Sequence, residues 1–307
     1  MDISALFAAL PGDVAQGIIW GIMALGVFFT FRILDFADLT VDGSFATGGA
    51  VAAMLITNGY AVPIALIAAT CCGALAGVVT GLLHTKLGIP GILASILTQI
   101  SLYSINLNIM QGMANVAING NKYSLIVSLR YIPQAILISS IFALAIVAAA
   151  YWYFGTEQGS AIRATGSNPN MSKAQGININ AMTVLTLGIS NGIVALAGAL
   201  VAQYQGFADI NMGRGAIVIG LAAVIIGEVL GHAIFGKRMN FAVKMICVVL
   251  GGVVYYIVIG IVLWLRMPTN DLKLFTAIIV AIFLAVPYLK GKANNSFRKA
   301  ARRGGTK

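Results

Sequence analysis

The sequence predicts an all-α, polytopic integral membrane protein with about nine transmembrane or re-entrant helices arranged as an inverted repeat. The first observation is composition: 59% of the 307 residues are hydrophobic and only 9% are charged, whereas a soluble domain carries about 25% charged residues. The second is a series of apolar runs that are long enough to cross a bilayer. The third is a match of the chain to itself at a fixed offset.

Most of the apolar runs are long enough to cross the roughly 30 Å hydrocarbon layer of a membrane as helices. Two are shorter, 43–57 and 214–231. About fifteen helical residues rise only about 22 Å, so the first of these is not expected to span unaided. The longer runs lie at 14–33, 61–84, 89–110, 131–153, 181–204, 240–265 and 272–289.

Polar segments divide the chain into a first transmembrane half at 1–153, a polar loop at 154–180, a second half at 181–289 and a basic tail at 290–307. Seven of the 19 Lys and Arg residues lie in that tail. Cytoplasmic flanks carry an excess of such residues, so we expect the tail and the polar loop in the cytoplasm. Contact of the tail with anionic lipid is compatible with that placement.

The polar loop contains the start and stop chemistry of a short helix. Asn168 is a good N-cap residue, Pro169 suits the first helical position, and Gly176 suits a stop just after the last turn. A short helix between membrane spans indicates a docking surface for another protein. A solvated linker is the alternative that these residues leave open.

An internal repeat appears when the chain is shifted by 171 residues, which places 14–38 on 185–209. The Phe-Ala-Asp triplet that ends at Asp38 then falls on the triplet that ends at Asp209, in register with shared Gly, Ile, Ala and Leu positions. With five spans in the first half, the second copy is inverted in the membrane. Inverted repeats with interrupted, glycine-rich segments at matching positions are typical of transporters.

Charged and amide side chains near the predicted membrane interfaces are candidate pathway groups. Intramembrane charges usually face the protein interior, but a carboxylate near a helix start also acts as a cap. The sequence leaves both roles open, and it leaves Glu228 open between a partner contact and water. The candidate pathway residues are Arg32, Asp35, Asp38, Asp42, Gln99, Asn106, Asn191, Asp209 and Arg214.

The sequence contains no arrangement of residues that predicts catalysis. Cys71, Cys72 and Cys247 lie in apolar runs without metal-ligand spacing. The stretch GHAIFGKR, residues 231–238, has Arg where a phosphate-binding loop needs Ser or Thr, and it follows a helix instead of a strand. We therefore expect no catalytic residue, no metal and no cofactor bound by this chain, and the basic charge does not indicate nucleic acid.

Two stretches, RILDFADLTVDGSF (32–45) and GSAIRATGSNPNMSKAQGIN (159–178), resemble the permease subunits of bacterial ABC importers of the ribose and branched-chain amino acid type. Within that type the resemblance is to the subgroup that works with tryptophan- or tyrosine-type binding proteins. It covers essentially the whole chain. One departure is Ala37, which stands where that subgroup leads us to expect proline.

The resemblance implies a type II ABC importer-like fold in the bacterial inner membrane. It implies two copies of this permease, two ATPase subunits that hold ATP and Mg, and an extracellular or lipoprotein binding protein. The binding protein would deliver a small solute of the amino acid class, aromatic amino acids included. The short helix would be the coupling helix. The matching coupling positions are Arg163, Thr165, Gly166, Asn168, Pro169, Met171 and Gly176, with Glu228 as a further partner contact.

The sequence alone is also compatible with an ion-coupled secondary transporter that uses Asp35, Asp38 and Asp209 as proton or sodium sites. A structural or sensory membrane subunit is a third class. A permease without a nucleotide motif must take its energy from a partner ATPase or from an ion gradient, and this choice separates the first two hypotheses.

Overall fold

The computed structural model describes residues 3–120, 122–123, 125–236 and 239–264, together with six single positions between 274 and 285. The predicted span 272–289 lies almost wholly outside the described residues, and the basic tail 290–307 lies entirely outside them. The helices are α1 (Ile3–Phe28, continued by a π-helical turn, Phe29–Ile33), α2 (Thr40–Thr57), α3 (Val62–Thr85), α4 (Gly91–Ile109), α5 (Ile132–Gly155), α6 (Glu157–Ser167), α7 (Pro169–Ala174), α8 (Ile179–Gln205), α9 (Ala216–Phe235) and α10 (Phe241–Trp264).

The all-α membrane fold is confirmed, with seven described helices that are long and apolar enough to cross a membrane. The short run 43–57 lies in α2, which is not one of the seven. The length of the other short run, 214–231, was underestimated as a span, because α9 has 20 residues and is one of the seven helices that could cross a membrane. The first helix also begins earlier than predicted, since it continues through Pro11, although a Pro-Gly pair usually marks a turn.

Two short strands, β1 (Asn115–Ala117) and β2 (Phe207–Asp209), pair antiparallel on one side of the helices. The pairing places Asn115 opposite Asp209. The ribbon links the segment after α4 to the segment after α8, and neither strand was predicted. It fixes where the chain turns back toward α9.

The predicted inverted repeat is visible in the helix packing. Gly17 and Gly21 bring α1 against Val253 and Val249 of α10, and their partners at the 171-residue offset, Gly188 and Gly192, bring α8 against α3. Small residues at such spacing let helices approach closely. Equivalent glycines therefore make equivalent contacts in the two halves.

The two copies run in opposite directions. Tyr204 near the end of α8 donates a hydrogen bond to the carbonyl of Gly12 near the start of α1 (3.0 Å), while Ser190 earlier in α8 donates to Gly26 later in α1 (2.7 Å). These two helices form the centre of the bundle. In their most apolar stretches 78% of the α1 residues and 72% of the α8 residues are buried, against 28% in α4 and in α5. The candidate cavity lies between α2, α4 and the turn before α9.

Candidate functional site

The first candidate region is the non-helical segment between the π-helical turn and α2. Asp35 is exposed and has a positive φ of 57°, and three residues later Asp38 is only 2% exposed. The Asp38 carboxyl accepts a hydrogen bond from the Thr40 backbone N–H (2.9 Å) and another from the Asn191 side-chain amide (2.7 Å). Asp38 thus caps α2 and ties it to the middle of α8.

A buried polar network continues from Asn191. Its side-chain oxygen accepts a hydrogen bond from the Ser44 hydroxyl at 2.7 Å. One turn before Ser44 on α2, the hydroxyls of Thr40 and Thr80 lie 2.8 Å apart, and Thr80 donates to Thr98 at 2.9 Å. We call Asp38, Thr40, Ser44, Thr80, Thr98 and Asn191 the polar hub; it connects α2 with α3, α4 and α8.

The start of α9 is capped from the other half of the chain. The two carboxylate oxygens of Asp42 accept hydrogen bonds from the backbone N–H groups of Gly215 (3.0 Å) and Ile217 (2.9 Å). Gly213 lies so close to the Asp42 carbonyl that a side chain there would overlap it. A carboxylate at a helix N-terminus satisfies free N–H groups and interacts favourably with the helix dipole, so Asp42 has the capping role that the sequence left open.

Asp209, the repeat partner of Asp38, has different surroundings. It is half-buried in β2, and its carboxylate accepts a hydrogen bond from the Asn211 backbone N–H at 2.7 Å. The shared triplet therefore holds one buried and one half-buried carboxyl. Among the described residues, no three His, Cys, Asp or Glu side chains gather to form a metal site.

Four predicted pathway residues meet around one cavity of about 320 Å³. Asp42 comes from α2, Gln99 and Asn106 come from α4, and Arg214 comes from the turn before α9. Asn106 is 1% exposed, and its side-chain oxygen has no hydrogen-bond partner among the residues that the structure describes. Tyr103 and Ser104 also line this cavity, and the sequence analysis did not single them out.

The polar loop folds into α6 and α7, and α7 lies where the short helix was predicted. The Asn168 side chain accepts a hydrogen bond from the Met171 backbone N–H at 3.0 Å, and Pro169 occupies the first turn. Gly176 follows the helix with a φ of 84°. Met171 is 59% exposed, so this helix presents an apolar side chain to the surroundings.

The predicted coupling residues on α6 separate into outward and inward groups. Arg163 is exposed and donates to the Ser160 hydroxyl. Thr165 is buried and bonds to the Ala161 carbonyl at 2.8 Å, while Gly166 packs directly on the carbonyl of Ile33. Gly166 therefore attaches the loop to the end of the first span, whereas Thr165 bonds within α6.

Arg32 lies apart from the pathway cavity and forms an ion pair with Glu228 of α9. The pair lines a cavity of about 530 Å³ that Arg163, His232 and Lys244 also line. An ion pair thus connects the end of α1 in the first half to α9 in the second, beside the α6–α7 loop.

An inverted repeat of membrane-spanning helices with a polar cavity is typical of a multi-pass membrane transport protein. A family model described as "Branched-chain amino acid transport system / permease component" matches residues 13–287. The chain belongs to this permease family.

The chain is similar to a tyrosine transport system permease protein of Clostridioides difficile, with 38% identity over 93% of this chain and 92% of that protein. It is 34% identical to an uncharacterised protein of Rickettsia prowazekii over 88% of this chain and 94% of the other. A ribose import permease protein of Haemophilus influenzae is 27% identical over 71% of this chain and 67% of that protein. No solved structure matches.

Proposed function

We propose that the chain is the membrane-spanning subunit of an ATP-driven importer. Two copies form the membrane core, two separate ATPase subunits bind the α6–α7 loop on the cytoplasmic side, and a binding protein delivers the solute from outside. The observation that carries this proposal is α7, a capped helix that displays Met171 outward. The partner binds ATP and Mg and hydrolyses the ATP, and this chain binds no cofactor.

The proposed substrate is an amino acid with an aromatic side chain. The tyrosine transport named for the Clostridioides difficile relative supports it, and so does a cavity that combines polar groups with Tyr103. Ligand pockets span about 300–1,000 Å³, so a cavity of about 320 Å³ suits a single small solute. The proposed location is the bacterial inner membrane, with the C-terminal tail in the cytoplasm.

In the proposed cycle, each α6–α7 loop transmits ATPase closure to the membrane helices. Gly166 packs on the Ile33 carbonyl and attaches the loop to the first half of the chain, and Arg163 lies beside the ion pair that joins Arg32 to Glu228. Movement of α7 therefore acts on both copies of the repeat. Asp42, Gln99, Asn106 and Arg214 then line the solute pathway, with the polar hub behind them.

Co-purification tests the proposal most directly. The tagged chain, expressed in its native host and extracted in mild detergent, is expected to retain an ATPase subunit in a one-to-one ratio. Met171→Glu is expected to remove that ATPase, because it places a charge on an apolar contact. Met113→Glu is the matched control, since Met113 is also exposed (45%) but lies just before β1.

A chain that purifies alone and still takes up solute would contradict the proposal. Uptake that then collapses with an ionophore would transfer the coupling role to Asp35, Asp38 and Asp209 as ion sites.

A further inference from the structure

We propose that the cavity between α2, α4 and the turn before α9 binds the zwitterionic backbone of an α-amino acid during its passage. Arg214 pairs with the carboxylate, Asp42 accepts the ammonium group, and the side chain of the solute lies along α4. This inference rests on the proposed function and assigns a solute-binding site to the permease itself.

The Arg214 side chain is available for a carboxylate. Its guanidinium makes no hydrogen bond or ion pair within the part of the chain that the structure describes, and the residue is exposed at the cavity. An arginine fork matches a carboxylate with two parallel hydrogen bonds. An unpaired guanidinium in a permease cavity is therefore suited to bind an anionic group on the solute.

The backbone around Arg214 is held in place. Gly213 packs on the Asp42 carbonyl, and Gly215 has a φ of 86° and donates its N–H to Asp42. The turn is also anchored to the ribbon, because the Ile210 N–H donates to the Ala114 carbonyl at 2.9 Å. The base of the arginine is thus prepositioned, which lowers the entropic cost of binding.

Asp42 supplies the opposite charge. Its two oxygens accept backbone hydrogen bonds from Gly215 and Ile217, which fixes the carboxylate orientation. An ionised carboxylate has about four lone-pair sites, so acceptor capacity remains for an ammonium group at the cavity. The two charged ends of the site come from opposite halves of the inverted repeat, and a zwitterion bridges them.

The α4 wall completes the site. Gln99, Tyr103 and Asn106 follow each other at helical spacing on one face. The unpartnered oxygen of buried Asn106 marks unused hydrogen-bonding capacity, since buried polar atoms normally have partners. Tyr103 is 44% exposed and offers an aromatic surface for an apolar or aromatic side chain.

The test is direct binding of tritiated L-tyrosine and L-leucine to the purified permease–ATPase complex in lipid nanodiscs, without the binding protein. Unlabelled tyramine, which lacks the carboxylate, and 3-(4-hydroxyphenyl)propionate, which lacks the ammonium group, are expected to compete at least about tenfold less well than L-tyrosine. Equal competition by either analogue would overturn the zwitterion site.

Arg214→Gln is expected to weaken amino-acid binding at least about tenfold, and Arg214→Lys to weaken it less, because the charge remains while the fork is lost. Arg130→Gln is the matched control, since Arg130 lines a separate cavity, and it should bind like the wild type. Monodisperse elution and full retention of the ATPase subunit verify folding; if Arg214→Gln fails these checks, Gln99→Leu with the same readout replaces it.

Absence of amino-acid binding in the wild-type complex, or wild-type binding in a folded cavity variant, would overturn this inference. Either result leaves the proposed function intact as long as the ATPase co-purifies and uptake persists. If the ATPase does not co-purify and uptake is also lost, the proposed function itself is contradicted. The two failures are therefore distinguishable.

Discussion

Asn191→Ala is the substitution that tests the polar hub most severely. The alanine removes the hydrogen bonds to the Asp38 carboxyl and to the Ser44 hydroxyl, both at 2.7 Å and both fully buried. A buried polar group left without its partner costs about 1–3 kcal/mol. Two such groups therefore predict a loss of about 2–6 kcal/mol in the free energy of unfolding.

Equilibrium unfolding of the purified chain by SDS in mixed micelles measures this loss. Asn180→Ala is the matched control, because Asn180 lies in the same helix but is exposed, and it should change stability by less than about 0.5 kcal/mol. The double variant Asp38→Ala, Asn191→Ala should lose less than the sum of the single variants, since both remove one shared contact. A loss below about 0.5 kcal/mol for Asn191→Ala would refute the account of the hub.

Three further outcomes are expected. Gly48→Val should prevent recovery of monodisperse protein, because a side chain there overlaps the α8 backbone, whereas Gly155→Ala should be tolerated, since nothing lies within 4 Å of its added carbon. Asn168→Ala should destabilise α7 by about 1 kcal/mol, seen as faster amide hydrogen exchange in that helix. Arg32→Glu and Glu228→Arg should each lower solute-stimulated ATPase activity, and the double variant should restore it. The free energy of unfolding should change by about 1 kcal/mol or less, because the ion pair is partly exposed. Additive losses of activity in the double variant would contradict this.

Local chemistry explains why α7 was predictable. The capping residue, the first-turn proline and the terminal glycine of α7 lie within nine residues, and each of them favours the same short helix. The inverted repeat was predictable because a self-match at a fixed offset reports a whole architecture. By contrast α6 was missed, although Thr156 caps it and Glu157 follows, because the glycines of that segment indicate a loop.

The polar hub was only half predictable. Asp38 and Asn191 stand out because they interrupt apolar runs, but Thr80 also bonds to the Ala76 carbonyl of its own helix (3.2 Å). A threonine in a membrane helix can always satisfy itself in this way, so its spacing shows nothing about contacts with another helix. Tyr103 was missed for a similar reason, since its position among apolar residues is compatible with a lipid-facing surface.

Ribosomal synthesis delivers buried Asp38 and half-buried Asp42 to the membrane long before their hydrogen-bond partners. Asp42 and α2 are inserted well before α9, so the N–H groups of Gly215 and Ile217 meet a waiting acceptor when α9 arrives. Asp38 waits as well, because Asn191 follows 153 residues later. Translation that stops in the central loop therefore leaves Asp38 without this partner, a state that quality-control proteases can recognise.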